Sequence, residues 1–149
     1  MAELTVSDMM RAYAEDCTDL AREQHGLALD YSENSLTQVE GVLDRMHKAL
    51  PKGPIARLAK RGPSEEQIQT MAKAWGAYLG EVMRRQWDGE WTTETAAQPG
   101  DVLTLRVGGT DLFPVAKVYR RLKNGAEDNV WHYYQVLKRD FAGNGANVR

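Results

Sequence analysis

Apolar residues recur at helical spacing over about residues 7–24, which predicts an amphipathic first helix. Thr5 or Ser7 would cap its start, and Gly26 would end it. Cys17 falls on the apolar side, and the carboxylates beside it in the sequence would raise the pKa of its thiol. We therefore expect Cys17 to be a core residue and not a nucleophile.

A stripe of apolar residues from Leu36 to Leu50 predicts a second helix, capped by Asp30 or Ser32 and ended by Pro51. Beside the stripe lie three possible metal ligands: Glu40, Asp44 and His47. Helical periodicity places them toward solvent or the boundary of the core, and no other helix supplies matching carboxylates. We therefore predict no metal site. Because nucleophile-elbow, P-loop and zinc-binding motifs are missing, we also predict no catalytic residue and no cofactor.

The third predicted helix is the best marked. Ser64 and Gln67 form a capping-box pattern at its start, and a wide apolar face extends from Ile68 to Met83. Gly76 and Gly80 lie about one turn apart on this helix, and each costs about 1 kcal/mol of helix propensity. Their spacing predicts that another element approaches the helix closely at this groove.

After the third helix the sequence becomes rich in β-formers. We predict strands near Glu90–Thr93, over Val102–Val107 and over Phe113–Leu122, with Gly108-Gly109 as the hairpin turn before the last. Since proline has no N–H to donate to a ladder, Pro114 is expected at an edge or at the start of the pairing.

The predicted architecture is a single α+β domain over residues 1–142. It contains three N-terminal helices, a small antiparallel sheet of about three strands and a C-terminal helix. Asp128 would cap that last helix, which is expected to end near Phe141. Residues 143–149 are predicted to form a flexible tail.

Composition excludes several classes of protein. The 149 residues have a net charge of −2, which is too small for the overall field to attract nucleic acid or an anionic membrane. The single cysteine forms no internal disulfide, and the start lacks a signal-peptide pattern. No apolar run approaches the roughly 20 residues that span a bilayer. A cytoplasmic protein without membrane association is therefore expected.

Charge is unevenly distributed along the chain. Residues 1–50 contain ten acids and four bases, whereas residues 51–149 contain eleven acids and fifteen bases. The opposite net charges of the two parts could compensate one another within the molecule, or the acidic part could bind a basic partner. Such a partner would contact the acidic side of the first helix: Glu15, Asp16, Asp19 and Glu23.

Basic and aromatic residues offer two further hypotheses. The connector after the second helix could bind nucleic acid or another anion through its bases: Lys52, Arg57, Lys60 and Arg61. Aromatic residues could line a small-molecule pocket in which a cation holds an anionic group: Trp87, Trp91, Trp131, Arg84, Lys117 and Arg121. On the predicted third strand, Lys117 and Arg121 could instead serve to prevent edge-to-edge aggregation, which is the common use of charge on an edge strand.

Several segments resemble a family of small uncharacterised bacterial proteins. The resemblance covers roughly residues 29–137 and rests on these stretches: Leu29-Asp30-Tyr31-Ser32, Gly76-Ala77-Tyr78-Leu79-Gly80-Glu81, Phe113-Pro114-Val115-Ala116-Lys117-Val118 and Tyr133-Tyr134. It implies no catalytic residue, and related proteins resemble immunity-type or accessory proteins encoded among secreted toxin systems. Within it, Glu81 is predicted on the polar side of the third helix. Burial of Glu81 against Arg84, Arg121 or Lys117 would strengthen the case for a site.

The leading hypothesis is a non-enzymatic binding protein of the bacterial cytoplasm, of an immunity type that occludes a basic, toxin-like protein. The alternative is a small-molecule-binding domain or enzyme that uses the aromatic pocket and an Arg or Lys contact to an anion. The oligomeric state is left open.

Overall fold

The computed structural model describes residues 4–51, 62–93 and 103–148, and the side chains up to residue 142. Its elements confirm the α+β class. They are, in chain order, α1 (Val6–His25), α2 (Ser35–Ala49), α3 (Glu65–Trp87), β1 (Glu90–Thr92), β2 (Thr104–Val107), β3 (Thr110–Leu112), α4 (Pro114–Asn124), a 3-10 turn (Ala126–Asp128) and α5 (Val130–Val148). The four bases of the predicted anion-binding connector, Lys52, Arg57, Lys60 and Arg61, lie outside the described residues.

The start and end of α1 follow from local chemistry. Thr5 accepts a hydrogen bond from the backbone of Asp8, and the Asp8 carboxylate accepts one from the backbone of Thr5. Gly26 ends the helix in a left-handed conformation, with a φ of 63°. Cys17 is fully buried, and burial raises the pKa of its thiol. The assignment of Cys17 to the core is therefore confirmed.

The long helix α3 lies at the centre of the molecule, with α1 and α4 packed against it. The predicted capping box is present, because Ser64 and Gln67 exchange backbone-to-side-chain hydrogen bonds. The predicted close approach is also confirmed. A Cβ atom at Gly76 would lie 2.5 Å from the Cα of Val115, and one at Gly80 would overlap the indole ring of Trp91 and lie 3.0 Å from the Cγ of Pro114.

The prediction of a third strand over Phe113–Leu122 is wrong, because this segment forms α4. Pro114 occupies the first turn of the helix, where its missing N–H has no intrahelical partner to lose and its φ fits. The buried positions Pro114, Val118, Arg121 and Leu122 follow helical spacing. Valine and tyrosine favour strands only weakly, so packing against α3 decides the outcome. Lys117 and Arg121 therefore lie on a helix and not on an edge strand.

The sheet is antiparallel, with the strand order β1-β2-β3. Trp91 lies opposite Leu105, and Leu105 lies opposite Leu112. Gly108 and Gly109 form the tight turn with φ values of 53° and 86°, which residues other than glycine rarely adopt. The predicted hairpin turn is confirmed, but the strand that follows it is only three residues long.

The turn before α2 delays the start of that helix to Ser35. Asp30 accepts a hydrogen bond from the backbone of Ser32, and Ser32 Oγ accepts one from the backbone of Ser35. Asp30 and Glu33 do not form a capping box, because the Glu33 carboxylate accepts a hydrogen bond from Tyr134 of α5. This contact joins the start of α2 to α5.

Helix α5 continues to Val148 and so includes the backbone of most of the predicted tail. Asp128 lies in the 3-10 turn and does not cap α5. The side-chain oxygen of Asn129 instead accepts a hydrogen bond from the backbone N–H of His132 at the start of the helix. Among the described residues, no helix combines the length and apolar character needed to cross a bilayer.

Candidate functional site

A groove of about 790 Å³ lies between the turn before α2 and the first turns of α5. We call it the α2–α5 groove. The turn contributes residues 32–34, and α5 contributes six side chains: Trp131, His132, Tyr134, Gln135, Lys138 and Arg139. Its volume is within the range of roughly 300–1,000 Å³ that is common for ligand sites. Aromatic and charged groups therefore meet in one concave surface.

Glu33 is fixed by contacts with α5. Its Oε2 accepts a hydrogen bond from the Tyr134 hydroxyl and lies 2.9 Å from Nζ of Lys138. These two hydrogen bonds lower the pKa of Glu33 against a smaller, opposing effect of burial. Burial and the adjacent carboxylate raise the pKa of Tyr134. At neutral pH the groove therefore contains an ionised carboxylate that accepts from a protonated phenol.

The aromatic lining of the groove is held by stacking. The rings of Trp131 and Tyr134 are nearly parallel, with centroids 6.0 Å apart. Tyr134 also stacks on Trp87 at 5.1 Å, and Trp87 contacts Phe141 at 4.9 Å. Since Tyr134 is fully buried, it supports Trp131, which is partly exposed in the groove.

The charges of the groove do not cancel. Among the described residues that line it, Glu33 is the one carboxylate, and Lys138 and Arg139 are the two cations. Lys138 pairs with Glu33, whereas Arg139 is exposed and forms no ion pair within the described part of the chain. Counting only Lys, Arg and Glu side chains, the described lining therefore has an excess of one positive charge.

The structure does not bring the predicted pocket residues together. Trp131 lines the groove and Trp87 lies behind Tyr134, but Trp91 is buried elsewhere, against α3. The indole Nε1 of Trp91 donates a 2.9 Å hydrogen bond to Glu81, and Arg84 binds the same carboxylate with two hydrogen bonds. The guanidinium group of Arg84 is therefore already paired with Glu81.

The expectation that Glu81 lies on the polar side of its helix is wrong, because only 1% of its side chain is exposed. Burial alone would raise the pKa of this carboxyl group. The hydrogen bonds from Arg84 and Trp91 outweigh burial and leave the pKa below its usual value. Helical periodicity misses this position because β1 covers the flank of α3 with Trp91. The resulting ionised carboxylate joins β1 to α3.

Lys117 and Arg121 also have acidic partners. Lys117 Nζ lies 3.2 Å from Asp128 and 5.0 Å from the centre of the Tyr133 ring. The buried guanidinium of Arg121 contacts Glu40 and Asp44 of α2 at 2.7 Å each. Both cations therefore connect neighbouring elements, and neither lines the α2–α5 groove.

The three possible metal ligands of α2 lie at the boundary of the core, where they hold α4. Glu40 and Asp44 bind Arg121, and His47 Nδ1 lies 2.6 Å from the carbonyl oxygen of Leu122. Hydrogen bonds from Lys48 and Arg121 lower the pKa of Asp44 to about 2. In the part of the chain that the structure describes, no cluster of three or more acidic, histidine or cysteine side chains could hold a metal ion.

The four predicted partner-binding acids are exposed on one side of α1: Glu15, Asp16, Asp19 and Glu23. This side is opposite the buried side, which contains Cys17 and Ala21. Asp19 pairs with Arg22 at 3.0 Å. At the N-terminal end of the helix, Met9 is 37% exposed and Leu4 is 80% exposed, whereas the four acids lie between the middle of the helix and its C-terminal end.

Glu33, Lys138 and Arg139 were missed as site residues by the sequence analysis. Lys138 and Arg139 follow Trp131 by about two turns, so their position on one side of α5 could have been recognised from helical spacing. The contact between this side and Glu33 joins positions about a hundred residues apart, and no local pattern encodes it.

Comparison with family models, with curated proteins and with solved structures finds no match to this chain. The resemblance to small bacterial proteins therefore stays a prediction.

Proposed function

We propose that this chain is a non-enzymatic binding protein whose binding site is the α2–α5 groove. The observation that carries this proposal is that the side chains lining the groove are already held in place by contacts with one another. Trp131 is stacked on buried Tyr134, and Glu33 holds both Tyr134 and Lys138. Side chains that are already ordered lose little conformational entropy when a ligand binds.

The charged pairs outside the groove support binding over acid–base chemistry. Arg121 joins α4 to α2 through Glu40, and Lys117 joins α4 to the following turn through Asp128. In each pair the acid stabilises its neighbour's charge and connects two elements. We therefore assign these acids a structural role and not a role in acid–base chemistry.

The groove is tested by following backbone amide resonances while a mixture of small organic molecules is added. We expect shifts at residues 32–34 and 131–139, and we expect them to disappear in Gln135→Trp, because the added ring fills the groove. Gln24→Trp, on the exposed side of α1, is the matched control and should bind as the parent does. Shifts that map elsewhere, or that survive in Gln135→Trp, contradict the proposal.

A second proposal is that the acidic side of α1 captures a basic protein of the toxin type that the resemblance implies. The exposed Met9 and Leu4 favour it, because protein interfaces combine apolar contact with a polar rim. Complementary charge would accelerate the encounter.

This second proposal is tested with a variant in which all four acids are changed to lysine: Glu15, Asp16, Asp19 and Glu23. Partners captured from the native host would be purified and their association rates measured at low salt. We expect the variant to associate at least about tenfold more slowly, since steering depends on charge. A control reverses four exposed acids elsewhere: Glu66, Glu90, Glu127 and Asp140. Equal rates for the two variants would refute the role of α1.

A further inference from the structure

We propose that the occupant of the α2–α5 groove is a small molecule that combines a flat aromatic ring with an anionic group, either a carboxylate or a phosphate monoester. This inference rests on the proposed function and adds the class of ligand. It follows from the ring that the groove presents, from its charges and from their positions along α5.

Trp131 supplies a surface for the ring. Its indole lines the groove, is partly exposed and is nearly parallel to Tyr134, with 12° between the ring planes. Aromatic rings prefer offset stacking, and a flat ligand extends this arrangement without moving Trp131. A saturated ring is thicker and lacks the π-electron quadrupole that favours stacking on the indole of Trp131, so it should bind less well.

The balance of charges favours an anion. A cationic ligand would compete for Glu33 with Lys138, which already lies 2.9 Å from that carboxylate, and with the Tyr134 hydroxyl. An anion instead meets Arg139, which has no ion pair among the described residues. The guanidinium group can donate two parallel hydrogen bonds to a carboxylate or a phosphate.

The spacing along α5 limits the size of the ligand. Arg139 follows Trp131 by eight residues, which corresponds to about 12 Å along a helix. Long side chains on a helix tend to lean toward its N-terminus, so the flexible side chains of Lys138 and Arg139 can reach toward Trp131. Gln135 lies between them and offers an amide to polar groups of the ligand. A single ring system with a short anionic arm, or a mononucleotide, can span such a site.

The test compares four probes by calorimetry and by amide resonance shifts. Indole-3-acetate and adenosine 5′-monophosphate carry a flat ring with a carboxylate or a phosphate. Tryptamine retains the ring but reverses the charge, and cyclohexylacetate retains the charge but loses the flat ring. We expect at least one of the first two to bind in the groove at least fivefold more tightly than tryptamine and cyclohexylacetate. The better of the first two shows which combination of ring and anionic group the groove prefers.

Variants assign the contacts. Arg139→Gln should raise the Kd of the anionic probe roughly tenfold, because a charge-assisted hydrogen bond is lost. Trp131→Leu should remove the preference for a flat ring, and its amide spectrum reports whether the fold is retained. Arg45→Gln, which changes an exposed arginine of α2 that does not line the groove, should bind as the parent does.

The ligand class and the proposed function fail in different ways. Binding of tryptamine or cyclohexylacetate in the groove as tight as that of the flat anions would overturn the ligand class and leave the groove as a binding site. No shift of groove residues with any probe at millimolar concentration would also overturn the ligand class. The proposed function fails only when the broader mixture leaves the groove unperturbed as well.

Discussion

Gly76→Ala is expected to lower the free energy of unfolding by about 2–3 kcal/mol, as measured by urea denaturation. A Cβ atom at this position would lie 2.5 Å from the Cα of Val115 and 3.0 Å from its backbone nitrogen. Since those atoms belong to the backbone of α4, a change of side-chain rotamer cannot relieve the overlap. Helix α4 must move away from α3, and the packing around Val118 loosens with it.

Gly41→Ala is the matched control, because Gly41 lies in the middle of α2 and a Cβ atom there would meet nothing within 4 Å. It is expected to raise the free energy of unfolding by about 0.5–1 kcal/mol, since alanine favours helix and restricts the unfolded chain. The two substitutions are chemically identical and should have opposite signs. A stabilising effect at both positions would contradict the close approach of α4 to α3.

Local signals in the sequence predict helices α1 and α3 well. The caps at Thr5 and Ser64 are short-range hydrogen bonds between residues three apart, so the sequence contains all of their parts. The spacing of Gly76 and Gly80 also predicts a close neighbour correctly, although not which one. These features depend on a few adjacent residues and on helical periodicity.

Helix α4 was missed because the strand preferences of its residues were weighed above their helical spacing, in which Pro114, Val118 and Leu122 recur every four residues. Val115, Val118 and Tyr119 favour a strand, and Pro114 fits either a strand edge or a helix start. The deciding interaction is the fit of Val115 against Gly76, which is about forty residues earlier. Long-range packing overrides a weak local preference, and a single sequence does not display it.

The candidate site was only partly predictable for the same reason. Trp131 was identified as a pocket residue because aromatic residues of the third helix, the sheet and the last helix were expected to cluster. The cations proposed beside it, Lys117 and Arg121, were placed on a strand that does not exist, and both are bound to acids. The charges that do accompany Trp131 depend on the contact between α5 and Glu33.

Arg121→Met is expected to lower the free energy of unfolding by about 3–5 kcal/mol. Only 1% of the Arg121 side chain is exposed, and Glu40, the more buried of its two acidic partners, is 14% exposed. The substitution retains much of the side-chain volume but removes the charge that compensates Glu40. Because a partly buried carboxylate without a cation is costly, the loss should exceed that of a simple surface ion pair. Urea denaturation at neutral pH measures it.

Two further variants separate the buried charge from other effects of changing α4. Arg120→Met alters the adjacent residue, whose side chain is 49% exposed and 3.7 Å from Asp128, so it should cost no more than about 1 kcal/mol. Glu40→Gln combined with Arg121→Met should recover at least about 1 kcal/mol of the loss, because the uncompensated carboxylate is removed while an amide oxygen can still accept from the backbone of Val130. If Arg121→Met costs no more than Arg120→Met, then the ion pair between α2 and α4 contributes little, and apolar packing alone holds α4 in place.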